Sequence, residues 1–574
     1  MINCTVSYQK PHQHWLDFEL TFSDLDQDKT YLQLPAWRPG RYELGNFAKN
    51  IQKFTVTDAN GQLVPFRKVT KDRWEVDTES IESIQVKYNY YAAEMNAGST
   101  YLDDEQLYIN FVNCMLYSEE QLDLPYHINL KIPQEYEIAC GLKKLDTHTL
   151  EAPSFYHLAE SPLIASPTLT HWQYEVAGHR FHLWFQGQCL LNEEQTINRF
   201  RAFTQNQIQM MGEFPADEYH FLYQFLPYRA YHGVEHFNST VIALGPSEGI
   251  VENSTTYADF LGVSSHELFH TWNIIRIRPK EMCPYDYTQE NYFPTGFIAE
   301  GVTTYYGDLF LVRSGVITKE EYFLELNKLF KRHFENFGRF NHSLVESSFD
   351  LWLDGYSAGI PHRKVSIYVK GALVSLILDL TLRDCTEQEH SLDTFMRYLW
   401  DYFGKQECGY HLADVQKLVD DLSGGQIDNY FDRFIYGKEP MEITLNQLLY
   451  KVGCQLDIAE NALHSEGTFG FRANKVGEKW LVQRIEPGSV ADEHLALNDE
   501  LLAINGTQIQ DSVEELLAGH QTVKLDIVRN QQTRTLELTT QEDRYFKVYT
   551  IAQRNDATEA EKQVFENWLG CGWD

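Results

Sequence analysis

Apolar and polar residues alternate through the first part of the chain. Leu16, Phe18, Leu20 and Phe22 interleave with Asp17, Glu19 and Thr21, and Ile84, Val86, Tyr88 and Tyr90 interleave with Gln85, Lys87 and Asn89. A period of two is that of a strand with one buried face. Asn60-Gly61, between FTVTDA and QLVPF, adds a hairpin signal. Residues 1–170 therefore read as an all-β, sandwich-like domain, in which LPAWRPGRYELGNFAKNI, rich in Pro, Gly and aromatics, is a structured loop without assigned chemistry. From about residue 190 the period lengthens to that of a helix in NEEQTINRFRAFTQNQIQMMGEF, and EYHFLYQFLPY after it reads as a strand. Helical patterns such as TKEEYFLELNKLFKRHFENF and KGALVSLILDLTLRD continue to about residue 450. Short strands and turns return from about 460 to 545, with a hairpin in VKLDIVRNQQTRTLELTT, and ATEAEKQVFENWLG closes the chain as a helical tail, docked or loosely held.

Length and composition narrow the classes. A chain of 574 residues has room for three or four domains, and a 43% hydrophobic share is that of packed globular cores. The net charge of −34 would repel nucleic acid and anionic membrane, so neither is expected as a partner. Nine cysteines without a C-x-x-C pair suit a reducing compartment. The N-terminus has no basic region followed by an apolar core, and no apolar stretch approaches membrane-spanning length, so a soluble, cytoplasmic protein is expected.

The chemistry concentrates in SSHELFH, Ser264 to His270. Residues four apart share a helix face, so His266 and His270 can present ring nitrogens to one metal, with the Glu267 carboxylate beside it as a base. The competing reading is a capping box, Ser264-x-x-Glu267, in which the carboxylate satisfies a backbone donor at a helix start. A catalytic zinc site needs a third protein ligand and an open position. Glu300, in the otherwise apolar and aromatic segment FIAEGVTTYYGDLF, is the candidate on a second helix, with Asp286 and Glu290 as weaker rivals.

His266-Glu267-x-x-His270 followed by Glu300 resembles the gluzincin metallopeptidases. The strings SSHELFHTWNIIRIRP, EGVTTYYGDLFLVRSG, SFDLWLDGY and YVKGALVSLILDLTLR resemble the M61 glycyl aminopeptidase family in particular. LPAWRPGRY resembles that family's N-terminal domain, and the region after residue 460 resembles the PDZ domain that many members carry. The resemblance implies a multidomain α+β chain: an N-terminal β domain (1–170), a thermolysin-like zinc catalytic domain (171–325), a helical domain completing the active site (326–455), a PDZ domain (456–545) and a tail (546–574). It implies one Zn2+ per chain on His266, His270 and Glu300, Glu267 as general base, and Tyr368, in SIYVKG, as the phenol that steadies the oxyanion. GVEHFNST resembles the exopeptidase signature of the related M1 enzymes, which makes Gly233, Glu235 and His236 substrate-binding residues, with Glu235 gripping the free α-amino group. His236 stands where the M1 form has asparagine, and Phe297 where many relatives have tryptophan.

GTFGF resembles the carboxylate-binding loop of PDZ domains, so Thr468, Phe469, Gly470 and Phe471 are expected to hold the terminal carboxylate of a peptide partner. The implied activity is removal of small N-terminal residues, Gly or Ala, from peptides with a free N-terminus. Two alternatives stand beside it: a zinc endopeptidase, for which Glu235 is dispensable, and an inert scaffold whose PDZ groove is the functional part.

Overall fold

The computed structural model describes residues 1–427, 429–540 and 543–574, so residue 428 of the expected helical domain and residues 541 and 542 of the expected C-terminal domain lie outside it. The alternating N-terminal segments form a seven-stranded sheet. In it Trp15–Ser23 pairs antiparallel with Ser83–Tyr91, Phe18 opposite Tyr88 and Leu20 opposite Val86, which puts both apolar sets on one face. A three-stranded and a four-stranded sheet complete this β-rich region. Asn60-Gly61 does make a turn, with Asp58 accepting at its start from the Gly61 amide. Its return arm makes one bridge, Thr57 to Leu63, before Phe66–Thr70 leaves for the three-stranded sheet.

A five-stranded sheet follows, in the spatial order Thr170–Val176, His179–Gln186, Glu218–Phe225, Ser239–Gly245, Ala230–Glu235. The central pairings are parallel and both outer ones antiparallel. A sheet covered on both faces needs apolar residues at every position. Phe221, Tyr223, Ile242 and Leu244 face the core shared with helices Glu193–Met211 and Thr255–Phe269. Leu222, Val241 and Ala243 instead pack with Tyr108, Ala139 and Ile164 of the N-terminal region. The sheet is thus clamped between helices and the β domain, and its edge strand Ala230–Glu235 borders the cleft between them.

The helical region is built as the periodicity predicts. Helix Lys319–Phe334 opens with a capping box from Thr318 and Glu321, and Val369–Cys385 is apolar nearly all round because it is buried nearly all round. The C-terminal strands Phe471–Val476, Lys479–Ile485, Glu500–Ile504, Thr522–Arg529 and Gln532–Thr539 enclose a separate small core. Arg472, bidentate on Glu335, and Arg484, on the same carboxylate, tie this domain to the end of helix Lys319–Phe334. The tail is docked. Val548–Gln553 pairs with Cys454–Ala459, and helix Glu559–Leu569 buries Phe565 and Trp568, whose indole N–H donates to the Tyr305 hydroxyl at 2.8 Å. All nine cysteines are free, and among the described residues no helix is long and apolar enough to cross a membrane.

Trp568→Ala is expected to cost about 3–5 kcal/mol by opening a cavity and removing the donor to the Tyr305 hydroxyl. A lower urea midpoint by circular dichroism would register that loss, whereas an unchanged midpoint would mean that the tail is not part of the cooperative unit.

Candidate active site

Helix Thr255–Phe269 starts at Ser254, whose side chain accepts from the Tyr257 amide. Ser264 therefore lies mid-helix, its hydroxyl bonded to the Phe260 carbonyl at 2.6 Å, and the capping-box reading of Ser264 and Glu267 falls away. Glu267 is left to face the cleft edge. One turn apart, the Nε2 atoms of His266 and His270 lie 3.0 Å from each other with ring planes at 83°. Glu300 Oε2 stands 3.5 Å from His270 Nε2 and 3.9 Å from His266 Nε2. The three ligand atoms are within 4.8 Å of one another, and a single ion bridging them needs no change of backbone.

The surroundings suit a cation. His270 donates from Nδ1 to the Asn273 carbonyl at 3.1 Å, which leaves the Nε2 lone pair for a metal. Burial holds the His266 imidazole well below its ordinary range, hence neutral. Burial also pushes His270 down, but the Glu235, Glu300 and Glu267 carboxylates outweigh it and lift it to about 10. For the same reason of burial, Glu267 rises to about 8 and Glu235 to about 7. Three carboxylates crowded around an imidazole favour positive charge there, and a dication satisfies that field and returns Glu235 and Glu267 to their ionised form.

Glu300 comes from a helix, as expected, but from a π-helical turn, Phe297–Val302, that runs into the α-helix Thr303–Arg313. Widening the turn frees carbonyls. The Asn273 amide takes them up, donating to Ile298 O at 2.8 Å, Ala299 O at 3.1 Å and the Thr303 hydroxyl at 2.9 Å. Asn273 thus fixes both the His270 ring, through its carbonyl, and the Glu300 turn, through its side chain. Tyr42, from the N-terminal loop, donates to Glu300 Oε1 at 3.2 Å and leaves Oε2 turned to the histidines.

The same turn packs on the start of helix Val369–Cys385. A Cβ on Gly301 would lie 2.5 Å from Gly371 Cα, and one on Gly371 2.7 Å from Gly301 Cα. That backbone contact brings Tyr368 beside Glu300. Burial, then Glu300 and Tyr356, push the Tyr368 phenol well above its usual range, so it stays a neutral donor. Tyr356, whose hydroxyl accepts from the Tyr42 amide at 3.2 Å, was not singled out from the sequence although it lies in SFDLWLDGY.

Gly233 and Glu235 lie on the edge strand. A Cβ on Gly233 would overlap the Glu267 carboxylate, so glycine there is what lets that carboxylate reach the strand. Glu235 is 5% exposed, and Gly40, at φ +74°, abuts it: a Cβ on Gly40 would be 2.7 Å from Glu235 Oε2. The loop with no assigned chemistry therefore ends the cleft at Glu235. The expectation for His236 needs correction. Its ring is buried away from this group and faces Glu160, Nδ1 to Oε2 at 3.5 Å, as alternation along the chain requires of the residue after Glu235. Asp286 is turned to its own loop, accepting from Thr288 and Gln289, so it is no ligand.

The carboxylate loop is a second correction. The N–H groups of Phe469 and Gly470 already donate to the His464 and Glu466 carbonyls, each at 3.1 Å, while Phe469 and Phe471 are core residues. The Tyr545 amide covers the Gly467 carbonyl. A wound turn has thus engaged two of the donors, those of Phe469 and Gly470, that a nest over Thr468–Phe471 would offer. A further group, His182, Glu218 and His220, lies close enough together for a metal but is not oriented for one. The two rings stack at 9°, so their lone pairs run parallel, and Trp184 donates to His220 Nδ1 at 3.2 Å, which places the His220 proton on Nε2 toward Glu218.

Residues 3–167 match the family model of the peptidase M61 N-terminal domain, and residues 259–374 match that of M61 glycyl aminopeptidase. Among solved structures, an aminopeptidase N family protein from Idiomarina loihiensis is 27% identical with a TM-score of 0.91, over 99% of this chain and 100% of that one. An M1 zinc metallopeptidase from Deinococcus radiodurans is 14% identical with a TM-score of 0.48, over 76% of this chain and 94% of that one. No curated protein matches the chain.

Asn273→Ala is expected to weaken zinc affinity about 10–100-fold by releasing both His270 and the Glu300 turn. Competition with a chromophoric chelator measures it, and unchanged affinity would remove Asn273 from the site's support.

Proposed function

We propose that this chain, a member of the M61 peptidase family by its two matched domains, is a zinc-dependent aminopeptidase that removes small N-terminal residues, Gly or Ala, from peptides. The observation that carries the reading is the convergence of His266 Nε2, His270 Nε2 and Glu300 Oε2 on one point beside Glu267. Zinc bound by these three supplies Lewis acidity to a water and to the scissile carbonyl. Glu267 takes the proton of the attacking water and returns it to the departing amine, a role open to a carboxylate that a neighbouring dication keeps ionised. Tyr368 donates one directed hydrogen bond to the oxygen on which negative charge develops.

Glu235 receives the substrate ammonium. Its carboxylate has no ion-pair partner among the described residues, and Gly40 closes the strand's end beyond it, so a peptide has room for its N-terminus and nothing before it. That wall speaks against an endopeptidase. Substrate continues the other way, past Gly233 and Glu267 toward Tyr231 along the edge strand. Gly or Ala preference rests on the family match alone. The C-terminal domain is assigned as a PDZ domain with a docking role, since its loop donors are engaged and Arg472 and Arg484 hold it on Glu335.

Gly- and Ala-p-nitroanilide should be cleaved and their N-acetylated forms spared, with activity lost on chelation and sharply reduced in Glu235→Ala. Equal cleavage of the blocked substrates would instead establish an endopeptidase. Tyr368→Phe should lower kcat about 10²–10³-fold with KM little changed; a change confined to KM would remove the phenol from the transition state.

A further inference from the structure

The loop that ends the cleft carries a buried charge that the chain answers only without contact, through the field of the Glu235 carboxylate. Arg38 is 5% exposed, yet its guanidinium donates only to the Pro39 carbonyl, at 3.2 Å, and no carboxylate among the described residues forms an ion pair with it. A buried charge without a carboxylate in contact is expensive, and a ligand that supplies one relieves that cost. The guanidinium lines a cavity of ≈ 440 Å³ together with Arg41, Lys49, His232, Asn113 and Thr100. Arg41 pairs with Glu43 and lies over the Tyr356 ring, 4.5 Å from its centroid. Glu94, also at the cavity, accepts from Asn96. Burial and the two arginines push His232 down to about 3, so it adds a neutral ring rather than more positive charge. Positive charge remains in excess in a chain whose net charge is −34. Gly40, two residues from Arg38, abuts Glu235, so the cavity lies next to the end of the cleft.

We propose that this cavity is a carboxylate-binding site in which Arg38, with Arg41 beside it, takes the carboxylate of a small ligand. Two sources share that chemistry: the acidic side chain of a substrate's N-terminal residue, and a free small carboxylate. Only the first rests on the aminopeptidase reading.

Calorimetric titration of the full-length chain with glutarate tests the site without reading catalysis, so its failure is distinct from failure of the aminopeptidase reading. Wild type should bind saturably, with affinity reduced about tenfold or more in Arg38→Met, the loss of one charge-assisted contact, and measurably in Arg41→Met. Arg41 lies at the cavity's more exposed side, so its variant carries the test if Arg38→Met does not fold. No saturable binding by wild type, or binding equal in all three proteins as for a carboxylate on a metal held by His266, His270 and Glu300, overturns the proposal. The ratio of kcat/KM for Glu- over Ala-p-nitroanilide then separates the sources. A fall in that ratio in Arg41→Met, alongside weakened glutarate binding, assigns the substrate side chain, whereas a constant ratio with weakened glutarate binding assigns a free carboxylate.

Discussion

Two glycines in backbone contact set the geometry on which the catalytic region depends. Gly301 and Gly371 bring the turn that carries Glu300 against the helix start that carries Tyr368, at a separation no side chain permits. Close-packed interiors transmit such a constraint rather than absorb it. Because the turn is held there, Glu300 meets the two histidines of a helix that neither glycine touches. The π-helical widening then follows: one extra residue per turn reorients the carboxylate, and the amide of Asn273 takes the carbonyls that the widening releases.

Burial does the electrostatic work around that contact. Glu235, Glu267 and Glu300 are all nearly inaccessible, and burial, with the charge of their neighbours, penalises the ionised forms of Glu235 and Glu267. A cation in the middle reverses each of these penalties at once. The site is therefore costly as a protein surface and favourable as a metal complex, the balance expected where chemistry rather than stability has fixed the residues.

Much of this was legible before any coordinates. The period-two segments around Leu16–Phe22 and Ile84–Tyr90 name their sheet because each exposes one face. The four-residue spacing of His266 and His270 names a shared helix face. Glu300 was readable as an acid in an apolar run, but not the π-turn, since an extra residue per turn leaves no period in so short a segment. Tyr42, Tyr356 and Asn273 escaped notice because each acts through partners distant in sequence, and aromatic or amide residues carry no spacing signal of their own. GTFGF misled because its glycines promise free amides, while a local turn from His464 spends those amides internally. His236 misled because motif resemblance counts positions, whereas alternation decides which side a ring faces.

The pairing of Cys454–Ala459 with Val548–Gln553 means that the small C-terminal domain enters and leaves the body of the protein at one point, Ala459 standing opposite Val548. It is a cassette. The chain segments on either side of it would meet at normal ladder spacing, about 5 Å, without it, and lengthening a loop costs only about 0.6 kcal/mol per doubling. Such a module can be exchanged, enlarged or lost without disturbing the terminal helix that caps Tyr305. Evolution is free to rewrite what the domain contacts while the group around His266, His270 and Glu300, built from other segments of the chain, stays as it is.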